Sequence, residues 1–67
     1  LLSLAMRLAT RHALRGYDAV QLAAALEAND ERIANGLTPL TFVSADTELN
    51  TAAQAEGLPV ENPNNYP

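Results

Sequence analysis

The stretch Leu40-Thr41-Phe42-Val43-Ser44-Ala45-Asp46-Thr47-Glu48-Leu49 restricts this chain more than any other. A short apolar run ends in small and polar residues, and a helical pattern follows it. Gly36 and Pro39 bound the run upstream. A run of that length between such boundaries predicts a buried strand over 40–44 rather than a helix segment. Asp46 then stands just past the carboxyl end of a strand and at the start of a helix. In open α/β sheets, ligands bind outside the carboxyl ends of the strands. Asp46 is therefore the first candidate for chemistry.

Two helices are predicted upstream. In the first, over 1–14, Leu1, Leu4, Ala5, Leu8 and Ala9 repeat at helical spacing, with arginines on another face. Gly16 is its expected stop, with His12 and Arg15 at the negative end of its dipole. The second spans 18–35. Asp18 opens it, Ala19, Leu22, Ala23 and Leu26 form its inner stripe, and Asn35-Gly36 closes it. Downstream of the strand, a third helix over about 47–56 turns Leu49, Ala52 and Ala53 inward and stops at Gly57. Leu58 to Glu61 read as a final short strand, in which Pro59 removes a backbone donor. Asn62 to Pro67 read as an irregular tail.

A strand–helix–strand sequence with so short a crossover is a βαβ unit, which predicts parallel strands and a right-handed connection. The fold class is thus α/β, in the order helix, helix, strand, helix, strand. Two strands cannot cover three helices, because parallel sheets are normally wider and covered on both faces. Further strands are expected from sequence before Leu1 or from another chain. The start at Leu1 inside a helical pattern agrees, so the chain is read as part of something longer.

At 67 residues the chain is at most one small domain, and such a domain buries only roughly 60% of its unfolded surface. No cysteine is present, which excludes disulfides and thiolate metal sites and fits a reducing, cytoplasmic setting. The apolar fraction of 48% argues against a disordered tail. No stretch approaches the ~20 apolar residues of a membrane span. The net charge of −4 does not suggest a general nucleic-acid binder, yet a nuclease site that holds cations needs local carboxylates. Arg7, Arg11 and Arg15 recur every fourth residue as one stripe, either a solvated face or a contact for phosphate or an acidic segment. His12 reads as a helix-end cation or partly exposed polar residue, with a ligand or general base as the other option. Tyr17 either packs or stacks on a base.

Asp18 and Asp46 are the candidate catalytic and metal-binding residues, and each is also well suited to cap a helix. Brought within ~5 Å, they would repel unless a cation sat between them. Mg2+ or Mn2+ would suit, since hard cations take carboxylate oxygens and keep several waters. Packing the second helix antiparallel to the strand would hold the two aspartates apart, unless that helix is tilted or a turn intervenes.

The flanking residues carry a resemblance. Leu14-Arg15-Gly16-Tyr17-Asp18-Ala19-Val20-Gln21-Leu22-Ala23 and Phe42-Val43-Ser44-Ala45-Asp46 look like two motifs of the PIN-domain nucleases, specifically the VapC-type toxins of bacterial toxin–antitoxin pairs. Ala55-Glu56-Gly57-Leu58-Pro59-Val60 and Asn62-Pro63 are similar to the close of such chains. The resemblance implies the C-terminal half of a three-layer α/β/α PIN-like domain with a parallel sheet, over 1–67. It implies a metal-dependent endoribonuclease in which Asp18 and Asp46 supply two of four acidic ligands to Mg2+ or Mn2+ and Ser44 steadies the site. RNA is the implied substrate and a cognate antitoxin the implied partner, with a homo-oligomer or the missing half completing the domain. Gln21 stands where many members carry histidine, and Thr47-Glu48 where a basic residue is frequent. Without the first two acidic positions, this chain alone is expected to be inactive. The alternative is a non-catalytic remnant whose apolar helices serve association or antitoxin binding.

Overall fold

A computed structural model describes residues 1–65; Tyr66 and Pro67 lie outside the described residues. The chain forms α1 (Leu2–His12), α2 (Gly16–Ala34), β1 (Phe42–Val43), α3 (Thr47–Ala55) and β2 (Val60–Glu61), then a 3-10 turn at Pro63–Asn65. This is the predicted order, and the chain is a small α/β protein with a two-stranded parallel sheet. Among the described residues, no helix is long and apolar enough to cross a membrane.

The inner stripes of the helices meet as their spacing predicts. Ala5 and Leu8 of α1, Ala19, Leu22 and Ala23 of α2, Leu49, Ala52 and Ala53 of α3, and Leu58 form one buried cluster. Leu8 and Leu22 are the largest fully buried side chains, each contributing about 1.5–3 kcal/mol by burial. The many alanines let the helices approach closely, so the core is thin. Phe42 and Val60 pack against the same cluster, while Val43 and Glu61 face solvent, as the alternation of a strand requires.

The ladder is shorter than the strand predicted over 40–44. Phe42 pairs with Val60 and Val43 with Glu61. The Phe42 amide donates to the Pro59 carbonyl at 2.8 Å, and Ser44 N–H donates to Glu61 O at 3.1 Å. Pro59 can accept but has no N–H to extend the ladder toward Leu40. Leu40 N–H donates instead to Asn29 Oδ1 at 2.7 Å, which ties the approach to β1 onto α2.

All three helices end in the same way. A left-handed residue is followed by a leucine whose amide reaches the carbonyl five residues back. Leu14 N–H donates to Ala9 O, Leu37 N–H to Arg32 O and Leu58 N–H to Ala53 O, at 2.9–3.1 Å. This is the Schellman arrangement. Gly36 (φ 75°) and Gly57 (φ 95°) supply the left-handed residue for α2 and α3, as predicted. For α1 it is Ala13, at φ 53°, and not Gly16.

That difference moves the start of α2. Gly16 is its first residue and Arg15 its N-cap, in extended conformation and without a side-chain cap bond. Asp18, expected to open the helix, is its third residue. The turn is tight because α1 ends at His12, two residues short of the helix predicted over 1–14, and Ala13 rather than Gly16 makes the left-handed stop.

Candidate functional site

The carboxyl end of β1 is held by a local network. Asp46 is the N-cap of α3, and its Oδ1 accepts from the Leu49 amide at 3.1 Å. The Asp46 amide donates to Ser44 Oγ at 3.0 Å. Ser44 therefore braces the backbone of the capping residue. The Asp46 carbonyl accepts from the Asn50 amide at 2.9 Å. Asn50 Nδ2 donates to Ser44 O at 2.7 Å, closing a ring from the strand end to the second turn of α3.

Asn50 was not singled out from the sequence. It is buried, and its Oδ1 has no hydrogen-bond partner among the described residues. Its position one turn after Asp46, beside the inward Leu49, is the signal that could have found it. A buried asparagine inside a helix needs a backbone partner, and the strand end is the nearest candidate.

Asp46 itself is exposed, and the cap engages only one of its oxygens. Asp18 is half-buried in the first turn of α2. An open groove of about 490 Å3, lined by Gln21, Ala24, Phe42, Val43, Ser44 and Leu49, runs between α2 and the end of β1. Gln21 lies one helical turn after Asp18, and Ser44 lies two residues before Asp46. The first half of α2 thus faces the carboxyl end of the strand. Neither aspartate lines the groove itself. Among the described residues, no group of three or more His, Cys, Asp or Glu side chains is arranged to hold a metal ion.

Tyr17 is exposed, and its hydroxyl accepts from Gln21 Nε2 at 3.2 Å. The packing option raised by its sequence position is not what the fold uses.

A second polar cluster ties the ends of two helices. His12 Nε2 lies 2.7 Å from Glu56 Oε2, and Arg11 Nη1 lies 2.8 Å from the same oxygen. His12 and Glu56 are largely buried there. The His12 hydrogen bond is the main cause that holds the Glu56 carboxyl below its ordinary value; burial opposes it, and Arg11 reinforces it. Glu56 is the C-cap of α3, where a carboxylate meets the negative end of a helix dipole. Arg11 and the His12 hydrogen bond, both from the last turn of α1, offset that. His12 is thus a helix-end residue as predicted, with a specific partner that no local pattern indicates. A cavity of about 350 Å3 beside it is lined by His12, Ala13, Thr47, Glu48, Thr51 and Ala52.

Compared with protein-family models, curated proteins and solved structures, the chain matches none of them.

Proposed function

We propose that the chain is the C-terminal half of a PIN-like nuclease domain and that Asp18 and Asp46 are two carboxylate ligands of its metal site. The observation that carries this reading is the construction around Asp46. A carboxylate at the end of a parallel strand is fixed by Ser44 and the α3 cap, yet keeps one oxygen outside the cap. The groove from Gln21 to Ser44 supports the pairing, because it sets the turn after Asp18 against the strand end.

Two carboxylates suit Mg2+ or Mn2+, which bind through one or two such groups and keep several waters. When bound, the metal would activate water for attack on an RNA phosphodiester and stabilise the charge that develops on the phosphate. Asp46 would hold its free oxygen toward the ion while the cap fixes its rotamer. Asp18, on the first turn of α2, would supply the second carboxylate. Ser44 would act through Asp46 as a positioning residue. Two further acidic groups would come from a partner half, and a cognate antitoxin would restrain the assembled enzyme.

A test is RNA cleavage with Mn2+ or Mg2+, using this chain alone and the longest natural polypeptide that contains it. Cleavage by the longer polypeptide, abolished by Asp46→Asn and by Asp18→Asn without loss of folding, is the expected result. Cleavage that persists in excess EDTA would overturn the reading.

A second reading, a non-catalytic association module, is favoured by the large apolar side chains left exposed, Leu2, Met6 and Val43 among them. It predicts concentration-dependent assembly that survives loss of both aspartates.

A further inference from the structure

The outer face of α1 differs in charge from the rest of the molecule. Its sequence, Leu2–His12, contains no acidic residue, while the whole chain carries a net charge of −4. Arg7 and Arg11 are both exposed on this face. Arg11 is paired with Glu56, but among the described residues Arg7 forms no ion pair. Beside the arginines, Leu2 and Met6 stand one turn apart and are 72% and 71% exposed, among the most exposed large apolar residues of the chain. Met6, Arg7, Thr10 and Arg11 line an open groove of about 400 Å3. One border of the face is thus apolar and the other cationic.

We infer that this face docks an amphipathic helix of another polypeptide, with an apolar stripe bordered by acidic residues. Charge complementarity selects the acidic border: among the described residues Arg7 has no counter-ion, on a molecule of net charge −4. The apolar border selects polypeptide over nucleic acid. A phosphate backbone would leave Leu2 and Met6 in water. A helix laid along this face, from Leu2 over the groove beside Met6, buries both side chains, as helix-in-groove recognition requires at one-turn spacing. The inference rests on α1 alone and deepens the partner part of the proposed function, not its metal chemistry. Its test reads binding and no cleavage, so the two can fail separately.

The test is fluorescence anisotropy of the full chain with a dye-labelled synthetic helix, a leucine stripe bordered by glutamates. A twin peptide with lysines in place of the glutamates and a short oligouridylate are the comparisons. The expected result is saturable binding of the glutamate peptide that weakens as salt rises. Arg7→Glu and Met6→Ser should each weaken it about tenfold, with circular dichroism showing the helices intact. Arg7→Gln, which keeps a good helix former at an exposed position, carries the same test if either variant fails to fold. Equal binding of the lysine twin would overturn the inference. So would displacement by oligouridylate, indifference to the Arg7 substitutions, or a self-association of the chain that Met6→Ser abolishes.

Discussion

His12 and Glu56 stand 44 residues apart in sequence, and the histidine Nε2 lies 2.7 Å from the glutamate Oε2. This contact, with Arg11 on the same oxygen, fastens the end of α1 to the end of α3, the helix inside the βαβ unit. Both helix ends carry partial negative charge, so without Arg11 and the His12 hydrogen bond Glu56 would be poorly placed.

Acid should loosen this tie. The folded Glu56 carboxyl is held below its ordinary value of 4.5. A carboxylate with a depressed folded value contributes stability that is complete above the unfolded value and is lost as pH falls through the folded one. Urea unfolding at stepped pH should therefore show stability declining below 4.5. Glu56→Gln should cost about 1–2 kcal/mol at neutral pH and flatten that acid limb. An unchanged pH profile in the variant would show that other carboxylates govern acid unfolding.

Ala13 occupies a left-handed backbone position that α2 and α3 give to glycine. Relieving its Cβ should help: Ala13→Gly is expected to stabilise by about 1 kcal/mol. The reverse change, Gly57→Ala, should destabilise by a similar amount, because the same conformation is required there. Thermal melts of the two variants compare the positions directly.

Asp46 has two separable tasks. Asp46→Ala removes the cap on α3 and should cost about 1 kcal/mol. Asp46→Asn keeps an equally good cap but loses the charge, so it should melt like the parent while losing affinity for Mn2+. Calorimetric titration of Mn2+ beside a melt distinguishes them. Equal Mn2+ affinity in the parent and the asparagine variant would remove Asp46 from any metal site.

Leu22 is fully buried at the centre of a thin core. Leu22→Ala should cost about 2–5 kcal/mol, enough to unfold much of so small a domain. Loss of helical circular dichroism at room temperature is the expected readout.

Much of the fold was legible because it rests on local periodicity. The stripes through Leu8, Leu22 and Leu49 identified the three helices, Gly36 and Gly57 marked two of their ends, and the parallel pairing followed from the short crossover. Two features broke that reading at the hairpin. Glycine is the usual left-handed residue, so Gly16 was the natural stop for α1; the fold places Ala13 there and uses Leu14 to complete the motif. Asp18 then lost the capping position to Arg15, whose extended backbone does the work without its side chain. At the candidate site, Asp46 and its cap were readable from adjacent residues, and so was the place of Ser44. Asn50 closing on the Ser44 carbonyl and Glu56 meeting His12 were not, because each depends on packing between separate elements.

Among the described residues, β1 has a neighbour on one side only. Its other side presents Thr41, Val43 and Ala45 with no charge or proline among them, the devices by which exposed strands usually discourage pairing. A chain prepared alone should therefore be prone to templated aggregation through this segment. A single lysine at Val43, which is already in water, would act as a gatekeeper and should lengthen the soluble lifetime of concentrated samples without touching the core.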